Sequence, residues 1–443
     1  MEMSRRKFLG ASAAAVIVAG MRAKGKVFGA NSRVRMCTIG FHGQGGSHIG
    51  DLLKMKDDVE YVALCDVDKS VLERGVSRVE KEQGKAPKAY TDMREVMADK
   101  DIDAVTIATP NHWHSLASIW ACQAGKDVYV EKPLSHNIWE GRQLVAAAQK
   151  YQRIVMHGTQ SRSNPELIRD MKLIHDGFIG EITHSRGYVY KNGNRGPIGF
   201  GKPGDPPAEL DWKLWQGPSS DHDFLVKEPP NPGDVTQDGI GLYVHYNWHW
   251  FWEYGNGEIG NQGVHEMDIA VWGHNRGLPV KVYSTGGRYS WKDQGETPNT
   301  QATSFTYADG SILTFEVRNM GSYPECADDN CSNSFFGSKG YYKRGEGFFG
   351  YDNKPIEVKE PLPEAHSKWY YFINAIRSRK NEDVTAPVLP GHLSCVHCHL
   401  GSVAYRLGRS LEFDPQNEKF KDEDANKFIK REYRKDFEVP QIA

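Results

Sequence analysis

The stretch Val34-Arg35-Met36-Cys37-Thr38-Ile39-Gly40-Phe41-His42-Gly43-Gln44-Gly45 carries an apolar run straight into closely spaced glycines. Such a run, bounded by glycine, reads as a buried strand, and a helical pattern follows it. A nucleotide-binding turn needs glycine there, so that backbone N–H groups can approach a pyrophosphate at the N-terminus of the next helix. Gly40 and Gly45 take the outer positions of G-x-G-x-x-G, His42 stands in the middle position, and Gly43 offers the close approach one residue later. A plain strand-to-helix turn leaves the same trace. Asp66 ends the second apolar run, 21 residues past Gly45. A carboxylate there accepts hydrogen bonds from an adenosine ribose and repels the 2′-phosphate of NADP. NAD is therefore the expected cofactor, with Cys65-Asp66-Val67-Asp68 as a helix cap the competing reading.

Working outward, residues 34–39, 61–65, 104–108, 128–130 and 154–156 read as buried strands. Residues 69–82, 112–124 and 138–150 between them read as helices. Alternation of this kind predicts a parallel sheet covered on both faces over residues 33–157. Two polar segments then fall at the carboxyl ends of strands, where open α/β sheets bind ligands. They are Thr109-Pro110-Asn111-His112-Trp113-His114 and Glu131-Lys132-Pro133. Beyond them, 165–175 reads as a helix, and 182–190, 280–287, 301–307, 312–318 and 333–336 read as strands of a second sheet. Residues 191–241 hold nine glycines and eight prolines, which excludes regular helix or central strand and predicts a lid, rim or interface.

With these segments the chain resembles the glucose–fructose oxidoreductase / inositol dehydrogenase / MocA family over nearly its whole length. The resemblance implies an α/β protein: an N-terminal Rossmann domain, then a C-terminal α/β domain, residues 158–443, whose open, mostly antiparallel sheet faces the nicotinamide. It implies that Lys132 hydrogen-bonds the reacting hydroxyl. Gly260-Asn261-Gln262-Gly263-Val264-His265-Glu266-Met267-Asp268 resembles the family's Asp-x-Gly-x-His-x-x-Asp segment. His265 matches the acid/base histidine, and Asn261 replaces the aspartate; an amide cannot ionise and is left to orient substrate. The competing role for His265 is a helix-start residue bonded to backbone. The expected cofactor contacts are Gly40, His42, Gly43, Gly45, Asp66, Thr109, Pro110, Asn111, His112, His114, Glu131 and Lys132.

Trp248, Trp250, Phe251, Trp252 and Tyr254 crowd around His245, Asn247 and His249. Aromatic faces stack on the C–H faces of sugars while amides and imidazoles bond hydroxyls, so Asn247, His249, Trp250 and Trp252 are substrate candidates. An aromatic core cluster is the alternative for most of these rings. His245 and His249 have metal-ligand spacing but no acidic or thiol partner nearby, and no metal is expected. Cys395-Val396-His397-Cys398-His399 fits the covalent haem signature, yet sits in a helical pattern over 393–411 with a buried apolar face. Cys326 and Cys331, in a polar loop, are better placed to pair.

Composition bounds the partners. The 443 residues are 25% charged and 39% hydrophobic, with 55 Lys+Arg against 57 Asp+Glu, which argues against nucleic acid. Residues 1–30 alone carry a net +5, including Ser4-Arg5-Arg6-Lys7-Phe8-Leu9-Gly10 before a short apolar run. Paired arginines before Phe-Leu resemble the twin-arginine signal, which implies a periplasmic protein exported already folded, with no stable membrane anchor. An exported enzyme meets essentially no free NAD, so a tightly held cofactor cycling redox-neutrally on a carbohydrate is expected. Oxidation–elimination–hydration–reduction of a glycoside is one alternative, and a non-catalytic carbohydrate-binding protein another. The resemblance further implies a homo-oligomer, dimer or tetramer.

Overall fold

The computed structural model describes residues 33–191, 195–227, 241–320 and 330–443. The apolar runs of the first half become six parallel strands: β1 (Val34–Ile39), β2 (Val59–Cys65), β3 (Lys88–Tyr90), β4 (Ala104–Ile107), β5 (Asp127–Val130) and β6 (Val155–His157). Their order, β3-β2-β1-β4-β5-β6, is doubly wound, and β4 and β5 are buried at every residue because helices cover both faces. Chain direction across the sheet reverses between β1 and β4, which opens a crevice above Ile39 and Ile107. The covering helices are α1 (Gln44–Leu52), α2 (Lys69–Gln83), α3 (Met93–Ala98), α4 (Asn111–Gln123) and α5 (Ile138–Lys150). Asp68 caps α2 by accepting from the Ser70 and Val71 N–H groups, and Gly84 ends it at φ +78°. The exposed edge strand β3 and the short α3 are additions to the sequence reading.

The second half begins with α6 (Pro165–His175), capped by Asn164 with proline in its first turn. Strand β7 (Ile182–Tyr190) then enters a sheet of ten strands among the described residues. Of its neighbouring pairs only β7 with Ile312–Arg318 is parallel; the others are antiparallel. Phe305, Leu313, Phe315, Val317 and Phe335 point to one face, where α7 (Gly263–His274) and α8 (Val388–Leu407) pack. Close packing there depends on Gly273, where a Cβ would come within 2.3 Å of the Phe335 ring. The other face stays open, with Tyr283 48% exposed.

Helix α8 wedges between the two sheets and decides the haem question. Cys395 and Cys398 are wholly buried, and Cys395 Sγ accepts from the Leu134 N–H at 3.1 Å. His397 bonds the Tyr307 hydroxyl at 2.8 Å and His399 the Ser135 hydroxyl at 3.1 Å, so the motif is core. The helix ends at Gly408 (φ +64°), earlier than the apolar pattern suggests, because Leu411 opens the strand Leu411–Asp414 instead. Cys326, one half of the expected cysteine pair, lies outside the described residues.

Burial also sets how stability depends on pH. It pushes His112, His265, His274 and His399 down to about 3, and His157 and His397 to about 4. His136, His249 and His392 lie well below the ordinary value for the same first cause. Such groups stabilise fully above the unfolded value of about 6.5, and that contribution is lost progressively as the pH falls below it. Asp66, Glu140 and Glu266, raised by burial to about 6, 7 and 7, act in the opposite sense, but nine histidines outweigh three carboxyls. The melting temperature should therefore hold between pH 8 and 7 and fall by several degrees by pH 5. Equal melting temperatures at pH 7.5 and 5 would contradict this burial pattern.

Candidate functional site

The three glycines of the β1 turn do different work. Gly40 has φ +75°, and a Cβ there would stand 2.9 Å from Thr109 Cγ2 on the facing loop. At Gly45 a Cβ would meet the Gly40 carbonyl oxygen at 2.1 Å, so this glycine lets α1 pack beneath the turn. At Gly43 a Cβ would meet nothing within 4 Å. Gly43 thus presents bare backbone at the start of α1, as a pyrophosphate requires. Asp66 braces the same turn: its carboxylate accepts from the Phe41 N–H at 2.9 Å and the Asp68 N–H at 3.0 Å. Burial still raises it to about 6 against those two donors.

A cleft of about 660 Å³ runs from this turn across the ends of β4 and β5 to the second domain. Its lining includes Gly40, His42, Gly43, Asp66, Thr109, Pro110, Asn111, His114, Glu131 and Lys132 from the first domain. Thr109 Oγ1 and Asn111 Oδ1 are buried there without hydrogen-bond partners. His114 has both ring nitrogens 2.7 Å from carbonyl oxygens, those of Pro133 and Thr109, and so ties the two loops together. Glu131 accepts from His48 at 2.9 Å; burial alone would raise its carboxyl, but His48, Lys368 and Lys132 together hold it well below the usual range.

At the far end Lys132 reaches the second domain. Its Nζ donates to Asn261 Oδ1 at 3.0 Å and to the Asn261 carbonyl at 3.2 Å. Burial lowers its pKa, opposed by the charges of Glu131 and Glu258. The Asn261 amide nitrogen faces Glu258 at 3.4 Å, and Glu258 pairs with Arg195 at 2.9 Å. Arg195 also donates to the Tyr246 hydroxyl at 2.7 Å. His265, in the first turn of α7, lines the cleft, and its Nδ1 is buried with no hydrogen-bond partner, unlike a ring bonded to backbone. Burial first, then the Lys132 charge, pushes it down to about 3, so the imidazole is neutral near pH 7.

Five expected residues fall outside the cleft lining. Gly45 lies beneath the turn. His112 bonds the Trp215 carbonyl at 3.1 Å on the other side of α4 from His114. Trp250 is 1% exposed within an aromatic core cluster, Trp252 lies against Arg406, and Asn247 is buried. Of the substrate candidates His249 alone lines the cleft, its Nδ1 bonded to the Tyr246 carbonyl at 2.6 Å. Among the described residues no group of three or more His, Cys, Asp or Glu could hold a metal. The sequence reading passed over Arg195, Tyr246, Gln262 and Trp248, which all line the cleft. Of these, Gln262 sits inside the quoted motif and Trp248 within the aromatic stretch.

A doubly wound sheet, a glycine turn with bare backbone and an acid at the end of β2 define an NAD-binding oxidoreductase. Family profiles match almost the whole described chain: residues 34–159 match the NAD-binding Rossmann fold, and residues 169–439 the C-terminal α/β domain, of one oxidoreductase family. The chain belongs to the Gfo/Idh/MocA oxidoreductases. It is 29% identical over 163 residues to a glycosyl hydrolase family 109 protein of Shewanella sp. W3-18-1, covering 36% of this chain and 35% of that protein. An α-N-acetylgalactosaminidase of Shewanella oneidensis matches to the same extent, so the match spans about a third of the length of either relative. Among solved structures, the WlbA dehydrogenase of Chromobacterium violaceum, in complex with NADH and UDP-GlcNAcA, superposes with a TM-score of 0.63. It is 20% identical, over 86% of this chain and 96% of that one. The aldose-aldose oxidoreductase of Caulobacter crescentus gives 0.58 at 16% identity, over 86% and 100%.

The glycines predict separable effects. Gly43→Ala should lower the melting temperature only slightly, through the poorer helix cap, but weaken NAD at least tenfold, since its methyl meets no protein atom and intrudes on ligand space. Gly40→Ala should destabilise the free protein by about 1–2 kcal/mol through its left-handed backbone. Thermal melts beside calorimetric NAD titrations check both; tight NAD binding by Gly43→Ala would move the pyrophosphate elsewhere.

Proposed function

We propose that the protein oxidises a carbohydrate hydroxyl with NAD held in place, and returns the hydride within the same catalytic cycle. The observation that carries this reading is Lys132 and the neutral, unpartnered His265 at one end of an NAD-type cleft. Bound NAD supplies the hydride acceptor. Lys132, held by Asn261, donates a hydrogen bond to the substrate oxygen and favours its anionic form. His265 takes the hydroxyl proton as the carbon–oxygen double bond forms, and gives it back on reduction. Burial keeps the imidazole unprotonated at pH 7, so its nitrogen is open to the proton; the same burial makes it a weak base and, once protonated, a strong acid for the return step. Arg195, Tyr246 and Gln262 stand where further hydroxyls would be bonded, which suits a polyol ring over an apolar substrate.

A second reading, NAD-dependent glycoside cleavage, is favoured by the two relatives named as glycosidases. In that cycle the new carbonyl acidifies the neighbouring C–H, the glycosidic oxygen leaves by elimination, water adds, and the returned hydride restores the alcohol. The Arg5-Arg6 signal supports export to the periplasm, where a captive cofactor is needed. The open sheet face with exposed Tyr283 supports assembly of copies through that face.

Lys132→Ala and His265→Ala should each cost about 10²–10⁴-fold in turnover while remaining folded and NAD-loaded. Activity of the His265 variant at the wild-type level would remove it from proton transfer. Wild-type cleavage of a glycoside without NADH build-up, and with solvent deuterium entering the adjacent C–H, selects the glycosidase; stoichiometric NADH from a free sugar selects plain oxidation. Exchanging Arg5 and Arg6 for lysine should strand the precursor in the cytoplasm, read by fractionation; normal periplasmic accumulation would refute the signal.

A further inference from the structure

Among the described residues, the long insertion between β7 and α7 meets the nucleotide-binding domain at several places, and two of them lie beside the nucleotide turn. In the first, residues 209–211 run antiparallel beside residues 67–69, just beyond Asp66. The Lys69 N–H donates to the Glu209 carbonyl and the Asp211 N–H to the Val67 carbonyl, both at 3.0 Å, with Asp68 paired to Leu210. Leu210 and Leu214 thereby become walls of the cleft, in which Asp92 and Met93 are first-domain walls. In the second crossing His245 lies flat on His42, ring centroids 3.8 Å apart and planes 7° from parallel. Its Nε2 is 3.3 Å from Asp68 Oδ2. His42 is the residue that replaces the middle glycine of the turn, so this position carries a ring, and that ring is covered by one from the other domain.

Both crossings converge on Asp68, two residues past the acid placed for the ribose. An adenine is flat and largely apolar, and a site for it needs apolar walls on both faces. On the first-domain side the lining there includes Met93 and Val67, and Leu210 of the insertion adds an apolar wall from the other domain. The stacked imidazoles stand at the pyrophosphate turn. We infer that the insertion supplies half of the site for the adenosine end of NAD, and that the dinucleotide leaves only when the Leu210 and His245 crossings part. This rests on the NAD reading above and adds the residues that make the cofactor resident. Glycine at position 42 would match the usual fingerprint better, yet here the histidine is the inner half of the clasp.

The test is the rate at which bound NAD is lost. Purified full-length protein is loaded with NAD, passed into cofactor-free buffer, and sampled by native mass spectrometry over hours, with melting temperatures measured in parallel. Wild type should retain NAD through the separation, and His245→Ala and His42→Gly should each release it about tenfold faster at little changed melting temperature. His42→Gly is the sharper variant, because if the turn alone held the phosphates, restoring glycine would retain NAD as well or better. Release within twofold of wild type by both folded variants overturns the clasp, as does loss of NAD from wild type within one column passage. A folded wild type that takes up no NAD even at millimolar concentration overturns the cofactor reading itself, and is told apart by the absence of any loaded species at the start.

Discussion

A buried ammonium joins the two halves of this protein. Lys132 leaves the end of β5 and is satisfied by the side chain and carbonyl of Asn261, 129 residues later and in the other domain. A buried cation without such acceptors is costly, and each hydrogen bond to a charged group contributes about 1.5–3 kcal/mol. With α8 packed against α5, the contact helps set where the second domain sits over the first. From that placement follow the position of His265, one helical turn beyond Asn261, and the closure of the cleft between the nucleotide turn and Tyr246.

The first sheet was legible because burial on both faces writes itself into the chain as uninterrupted apolar runs. β1 and helices α5 and α6 match the sequence reading residue for residue, since Gly40, Asn137 and Pro165 mark their limits. β3 escaped because an edge strand with two exposed residues carries no such signal. The overshoot of α8 has a similar cause. Leu411 continues the apolar spacing past Gly408, but it serves the same core from a strand.

Site residues were legible where a short motif holds them and obscure where the fold carries them in from afar. Lys132 and His265 each sit in a local pattern that names them. His112 and His114 share one segment, yet two residues on a helix point to nearly opposite sides, and only His114 meets the cleft. The aromatic stretch divides likewise: Trp250 fills the core beneath His249 while Trp248 reaches the surface of the cleft. Arg195, Leu210 and His245 belong to or follow a Gly- and Pro-rich insertion. Its path depends on tertiary contacts with Val67–Lys69 and His42 that no local periodicity encodes.

The asparagine at 261, where the motif it resembles has aspartate, has its explanation next door. Glu258 lies 3.4 Å from the Asn261 amide nitrogen and is itself paired with Arg195. A carboxylate at 261 would set two like charges at that separation, and one of them would have to hold a proton. The amide avoids this conflict while its oxygen still accepts from Lys132 and its nitrogen still faces Glu258. Negative charge sits one residue group outward from the lysine's immediate partner, at Glu258, where Arg195 balances it. Lys132 is left with a neutral partner, so more of its positive charge is available to a developing oxyanion. Where bound cofactor and substrate exclude water from the cleft, that field is screened less.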